Sequence, residues 1–560
     1  FTTCKKNDDC PPWQIKAREI NHDKEKKIIN YKHAWLEIYD KPIIYFPKFF
    51  HPDPSVKRQS GFLMPQMIDS SSLGISVKLP YYKVISDNKD FTFSPRIFSE
   101  TEGLFQNEYR QVSKDSKHIA DFSLKAKNSS SKTHFFSNSI TKLNIGFFDI
   151  SEVELNLQAT SDDNYLKTHN IRSKINANQS LLKSFLTFRG NSRDMNLETK
   201  VEAYEDLTED KTSDKYEYIF PSYSFSKRFP SNYSGTYELI SKGNYKNYDT
   251  NIFEKVLIND LKFSSDPKIA DFGFINNFNF LFKNVTSEGE NSSNYKNKFN
   301  SENYGSVFYD LSYPMKKEGK FFDSFLTAKG SLMYSPNSNK DLKSLDRKID
   351  INNIFTQNRL SLSDSVEGGE SLTLGGEYNL KSKENGNDVV VAGLATIIRN
   401  SEERNLPNKS TINNQVSDIV GSLIFEPNSN LKFDYNFSMD NDLQSTNYNL
   451  LKSDISVNNF VTSFEFLQED DEIGNESYLS NETSYNFNSA NSLKYRTRRN
   501  KKTDFTEFYN LIYEYKNDCL TASIQYNKDY YSDNDLKPSE ELFFSISIVP
   551  LATLNTPSAR

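Results

Sequence analysis

Residues able to carry catalysis or metal chemistry are few and scattered along this 560-residue chain. The three cysteines, Cys4, Cys10 and Cys519, lie toward its two ends. A zinc site needs a fourth ligand, and two thiols separated by five residues lack zinc-finger spacing. They fit free thiols, or one long-range disulfide with a thiol left over, and a disulfide would imply an oxidising compartment. His22, His33, His51, His118, His134 and His169 show no ligand spacing. Asp8-Asp9 and Asp470-Asp471 read as loop charge rather than catalytic dyads. G-x-S-x-G, P-loop and H-E-x-x-H strings are all absent. Neither an enzyme nor a cofactor or metal site is expected. With 68 Lys+Arg against 75 Asp+Glu, the chain also lacks the basic excess of a nucleic-acid binder.

The elements that would position any site are strands. Only 36% of residues are hydrophobic and the mean hydropathy is -0.70, yet 14% are aromatic. Disordered chains are poor in aromatics, and no apolar run approaches the ~18 residues of a spanning helix. Period-2 alternation reconciles these facts. Phe272, Phe274, Phe278, Phe280 and Phe282 share one parity, with Asn276 the polar member of that row. Leu431, Phe433, Tyr435, Phe437 and Met439 alternate with Lys432, Asp434, Asn436 and Ser438. Val153 to Ala159, Leu520 to Tyr526 and Leu542 to Ile548 repeat the pattern. Polar clusters at 161–164, 290–294, 336–339 and 384–388 read as loops.

Alternation fits a soluble sandwich or solenoid with a hidden apolar face, or a membrane barrel with that face turned to lipid. The aromatic-rich apolar face favours the barrel. So do alternation over 400 residues without a dividing linker and the lack of a 20–50-residue repeat. Residues 13–50 differ: short strands of mixed face, punctuated by Pro42, Pro47, Pro52 and Pro54, predict a small separate β-domain joined to the barrel near residues 51–62. Starting at Phe1 with no basic-then-apolar leader, the chain reads as a fragment or processed form.

The N-terminal stretch resembles the LptD family of lipopolysaccharide-assembly outer-membrane proteins. The resemblance is carried by Thr2-Thr3-Cys4, Trp13 through Asp23, Pro42-Ile-Ile-Tyr-Phe-Pro47, Lys57-Arg58-Gln-Ser-Gly-Phe-Leu-Met-Pro65, Leu79-Pro80-Tyr81-Tyr82, Asp90 through Pro95, and Tyr109-Arg110. Asn358-Arg359-Leu-Ser and Glu370 through Gly375 are similar to a mid-barrel segment of the family, and Asn517-Asp518-Cys519 with Lys528 through Tyr531 to its C-terminal strands.

That resemblance implies an all-β fold: a large antiparallel transmembrane barrel of about 26 strands over 57–560, preceded over 1–56 by the last strands of a periplasmic β-jellyroll and the junction. Residues 76–560 number 485, about 19 per strand with its connection, which suits spanning strands of ~9–11 residues. The implied function is transport of lipopolysaccharide into the outer leaflet of a Gram-negative outer membrane. Acyl chains would pass from the jellyroll groove to the leaflet, and sugars through the lumen to a lateral opening between the first and last strands. The implied partners are lipopolysaccharide, an LptE-type lipoprotein plug, a periplasmic LptA-type bridge protein and the barrel-assembly machinery. A different outer-membrane porin or receptor, or a soluble β-rich surface protein, is the alternative.

Pro65 and Pro80 match family prolines of the first two barrel strands. They would weaken a lateral gate by withholding ladder N–H groups, or merely mark strand starts or turns. Cys4–Cys519 is the disulfide the family implies. The family's usual adjacent pair of C-terminal cysteines is here a single one, which leaves Cys10–Cys519 and Cys4–Cys10 open. Lys57 and Arg58 at the junction would contact lipid phosphates, or form a solvated or interfacial anchor.

Overall fold

The computed structural model describes residues 1–2, 4, 11–53, 56, 58–63, 65–70, 73–99, 103–127, 130–208, 215–249, 251–470, 473–530 and 539–548. The N-terminal part is a three-stranded antiparallel sheet of β1 (Trp13–Asp23), β2 (Ile28–Ile38) and β3 (Lys41–Pro52), in that order. Pro42 and Pro47 both lie in β3, an edge strand, where a missing N–H is tolerated. Pro47 stands beside His33, which has φ 51° and drops out of the ladder to both neighbours. One face of the sheet buries Trp13, Ile15, Tyr31, Ala34 and Leu36.

The rest is a closed antiparallel barrel. Twenty-nine hydrogen-bonded segments form the ring among the described residues. Three strands are each interrupted once: the first (Gly61–Phe62 and Gln66–Ser70), the second (Gly74–Lys78 and Tyr81–Ser86), and the twelfth (Ile252–Ser265 and Lys268–Ile269). The ring therefore has 26 strands, the number the family resemblance implies. Closure gives every strand a hydrogen-bonded neighbour on both sides and leaves no free sheet edge, which a sheet must achieve to cross lipid.

Alternation sorts the side chains as expected. Phe278, Phe280 and Phe282 project outward and are exposed, while Leu281, Lys283 and Val285 on the same strand point inward and are buried. Phe272 departs from that row. It sits on the 270–274 turn, where the Gly273 N–H donates to the Ala270 carbonyl and Gly273 takes φ 85°. At the end of the barrel that carries the three-stranded sheet, turns are only two to six residues long. Five of them place exposed aromatics at that rim: Phe147, Tyr233, Phe272, Phe321 and Phe487. That is the interfacial girdle of a membrane barrel.

The opposite end carries long connections that fold back inside. Segment 336–368 contributes Leu342, Ile349, Ile354, Leu360 and Leu362 to an apolar core. Leu406 and Ile412 from segment 400–418, and Ala395, Ile397 and Val420 from the wall, complete it. The segment spans the lumen: Lys283 Nζ donates to the Ser363 carbonyl at 2.8 Å, and Lys348 pairs with Glu469, six strands around the ring from where the segment begins. A third connection, 161–180, includes the four-residue helix α1 (Tyr165–Thr168) and packs Tyr165, Leu166 and Ile171 against Phe98, Leu104, Phe136, Leu182 and Leu207.

Candidate functional site

The weakest place in the ring is where it closes. The last strand (Ser539–Ile548) pairs with its predecessor (Leu520–Asp529) over ten residues, from Leu520↔Ile548 to Asp529↔Ser539. It pairs with the first strand over four, from Glu541↔Ser70 to Phe544↔Met67. The Gly61–Phe62 segment pairs with Tyr81–Tyr82 of the second strand instead. The four pairs lie away from the three-stranded sheet. Toward the sheet, among the described residues, the two strands share no ladder.

Prolines cause the interruptions. Pro65 lies in the break of the first strand and Pro80 in the break of the second. Pro95 in the third (Lys89–Phe98) continues the row. None can donate an N–H, so the flanking residues do: Leu63 donates to the Pro80 carbonyl at 2.8 Å, and Leu79 to the Pro95 carbonyl at 3.0 Å. Pro95 extends the row beyond the Pro65 and Pro80 expected from the sequence. The constant spacing of 15 residues between Pro65, Pro80 and Pro95 was the available signal.

Behind the seam, on the lumen side, is a cavity of about 560 Å³. Its walls come from the first four strands, the last four, and Asn170 and Arg172 of the 161–180 connection. Ile68 and Phe543, a cross-seam pair, face it. Their neighbours Met67, Leu542 and Phe544 are exposed on the outer surface. One strand thickness thus separates a polar chamber from an apolar exterior.

The junction leads straight into this region. Lys57 lies outside the described residues. Arg58 forms an ion pair with buried Asp90 and donates to the Tyr82 hydroxyl at 3.1 Å, while Arg110 holds the other Asp90 oxygen at 2.7 Å. Asp90 therefore ties the junction to the second, third and fourth strands. Cys4 and Cys519 form a disulfide across 515 residues of sequence. Beside it, the Trp13 indole N–H donates to the Cys519 carbonyl at 3.1 Å. Sheet and barrel are thus joined by a covalent bond, a hydrogen bond and a shared apolar core. Cys10 lies outside the described residues.

Two polar clusters fix the inward connections. Glu367, Arg359 and Arg399 are each buried to 3% exposure or less. Arg359 Nε donates to Glu367 at 2.8 Å, Arg399 pairs with the same carboxylate, and Arg359 also reaches Ser371 at 2.9 Å and Thr373 at 3.2 Å. Arg359 stands in the Asn358-Arg359-Leu-Ser string, which does not by itself point to this role. Neither its partner Glu367 nor Arg399 carries a local motif that would have revealed it. In the second cluster Ser123 meets His134 Nδ1 at 2.6 Å, and His134 Nε2 meets Asp121 at 3.3 Å. The residue types are those of a hydrolytic triad. Ser123 is nevertheless buried and its hydroxyl also engages Tyr165 at 2.7 Å, so the group clamps α1 to the wall and has no room for a substrate carbonyl.

A closed ring with apolar aromatics outside, polar residues within and short turns at one rim defines a large transmembrane β-barrel. The chain belongs to the LptD family: the model of LptD, LPS transport system D, matches residues 135–477. Among curated relatives, the LPS-assembly protein LptD of Nitrosomonas eutropha is 24% identical over 445 residues, covering 76% of this chain and 60% of the relative. That of Polaromonas sp. is 24% identical over 462 residues, covering 75% and 54%. The chain thus spans little more than half the length of these relatives. Their names describe assembly rather than catalysis. Among solved structures, the FrpB iron transporter from Neisseria meningitidis aligns over 93% of this chain and 86% of its own at 7% identity, with a TM-score of 0.32.

Proposed function

We propose that this chain is the outer-membrane part of a lipopolysaccharide exporter of a Gram-negative bacterium, releasing its substrate sideways through the seam between the first and last barrel strands. The observation that carries the reading is the four-residue closure in front of a polar cavity. Parting it costs about four ladder hydrogen bonds, roughly 2–6 kcal/mol, against ten residues of pairing at the neighbouring seam. Pro65 and Pro80 keep the sheet-proximal half from zipping shut, as gate residues would. Sugars occupy the chamber while acyl chains slide past the parted edge into the leaflet.

On this reading, residues 1–56 are the end of a periplasmic β-jellyroll and the junction, and 57–560 are the barrel. The jellyroll receives lipopolysaccharide from an LptA-type bridge. An LptE-type lipoprotein sits in the lumen, and the barrel-assembly machinery inserts the chain. The aromatic rim at the sheet-bearing end supports placing the sheet on the periplasmic side, where barrel turns are short. Arg58 and Lys57 would guide phosphates at the junction; the hold of Arg58 on Asp90 leaves it more an anchor than a free contact.

The test is photocrosslinking in cells of a full-length version, with probes at Leu63, Leu79 and Ile546 and a control at Phe278. Lipopolysaccharide adducts at the seam and none at Phe278 are expected. Equal labelling of seam and control, or none in a folded and inserted protein, would leave only a generic barrel.

A further inference from the structure

We propose that the cavity behind the seam is an anion-binding site that holds a phosphate group of the glycolipid head while its acyl chains leave the barrel. The proposal rests on the export reading above and adds a chemical subsite to it.

Five cations line the cavity, Lys78, Arg96, Arg172, Lys494 and Arg496, the last already paired with Glu482 at 2.9 Å, against two carboxylates, Glu514 and Glu541. The chain as a whole has a net charge of -7, so this excess is local. The adjoining lumen pocket shares Arg172 and Arg496, but there Lys452 is joined by Asp454, Glu465, Glu482 and Asp529, and the cationic excess is gone.

The placement is costly without a ligand. Lys78 and Arg96 are direct cross-strand partners, and like charges directly opposite destabilise a sheet. Arg96 is 5% exposed. Its Nε donates to the Ser76 hydroxyl at 2.9 Å, its Nη1 to the His169 carbonyl at 3.1 Å, and its guanidinium lies 4.7 Å from the Phe98 ring centroid. These partners are neutral. Among the described residues no carboxylate lies within ion-pair distance of Arg96 or of Lys78. Buried charge is ordinarily paired, and an arginine fork matches phosphate geometry. Neutral partners on Nε and Nη1 orient the Arg96 fork; a bound anion supplies the missing charge. Arg172, held at Nε by Asn170 at 3.2 Å, closes the site from the inward-folded connection.

The location gives the site its purpose. Glu541 and Phe543 of the last strand line the cavity opposite Gln66 and Ile68 of the first. Lys78 is the cross-strand partner of Gln66, the residue next to the paired segment 67–70, and Arg96 is the partner of Lys78, so a phosphate resting on them lies beside the seam on its lumen side. The cavity falls within the 300–1,000 Å³ usual for ligand sites, room for a phosphorylated sugar.

The test uses the full-length protein in proteoliposomes, with a photocrosslinking residue at Phe543, facing the cavity, or at Leu542, facing lipid. Two lipids are supplied: lipopolysaccharide bearing its headgroup phosphates, and the same lipid dephosphorylated. Expected at Phe543 is at least fivefold more adduct with the phosphorylated lipid. That preference should vanish in Lys78→Gln/Arg172→Gln and return in Lys78→Arg/Arg172→Lys, with heat-modifiable gel mobility showing each variant folded. Equal adducts from both lipids at Phe543, with Leu542 still labelled, would overturn the anion site and leave export standing. No adduct at either position with either lipid would overturn the export reading and this site with it. A further arm adds inorganic pyrophosphate. Protection of Phe543 at millimolar concentration, reversed by the phosphorylated lipid, fits a headgroup subsite. Pyrophosphate binding that the lipid cannot displace would overturn the headgroup assignment in favour of a free anion.

Discussion

Trp13 belongs to the N-terminal sheet, yet its indole is fully buried because it packs on the barrel turn that carries Cys519. The Cys4–Cys519 bond beside it closes so long a loop that, in the chain-entropy model, it contributes about 4–5 kcal/mol or more. In Cys519→Ser the sheet should loosen from the barrel. Limited proteolysis at the 53–60 junction should accelerate at least tenfold, and unchanged cleavage would show that noncovalent packing suffices. His51 offers a second lever. It is buried against Tyr31, whose hydroxyl lies 2.7 Å from its Nε2. Burial lowers its pKa below the ordinary 6.5, with the Pro52 carbonyl and Asp53 opposing. The unfolded state therefore binds the proton more readily. The stability His51 supports is complete above pH about 6.5 and declines as pH falls below it, by at most ~1.4 kcal/mol per pH unit. Hydrogen exchange across β1–β3 should be faster at pH 5.5 than at 7.5 after correction for intrinsic rates, and His51→Gln should flatten the difference.

At the scale of elements, two devices set what the barrel can do. The first is the proline row. Pro65→Ala restores an N–H to the strand that parts on the proposed reading, and each added ladder bond is worth about 0.5–1.5 kcal/mol. Lipopolysaccharide should then reach the cell surface several-fold more slowly at an equal level of folded protein; an unchanged rate would reduce Pro65 to a strand marker. The second device is the folded-in segment 336–368. Glu367→Gln leaves two buried arginines without their shared carboxylate, a change that costs about 3–5 kcal/mol in such settings. The segment should leave the lumen, and planar-bilayer conductance should rise well above that of the parent; a closed lumen in the variant would mean that the apolar core alone holds the plug. The strands themselves were legible in the sequence, because lipid on one side and polar lumen on the other impose a strict period of 2, as at Leu431 to Met439 and Leu542 to Ile548. The plug was not. Leu342, Ile354 and Leu360 follow no period, since they pack through irregular backbone against wall residues 35 or more positions away, and the polar cluster at 336–339 that opens the segment reads as an ordinary loop. The cationic cavity was equally hidden: Lys78, Arg172 and Lys494 come together only through closure of the ring.

The whole molecule explains how a chain of mean hydropathy -0.70 can span a membrane. Its apolar side chains are spent outward, one residue in two along each strand, and its polar ones fill a lumen that its own connections obstruct at one end. On the proposed reading, with that end filled and the ring joined most weakly at one short seam, a glycolipid would leave sideways rather than along the barrel axis. The central claim is that this seam opens. A cysteine pair at Asp69 and Leu542, direct partners across it, would lock it reversibly, and a matching pair at Phe278 and Tyr309 would lock an ordinary neighbouring contact. Appearance of newly made lipopolysaccharide at the cell surface is the readout. The account predicts that oxidation stops it in the Asp69→Cys/Leu542→Cys protein, that reduction restores it, and that the Phe278→Cys/Tyr309→Cys protein exports normally throughout. Undiminished export through an oxidised seam would contradict it.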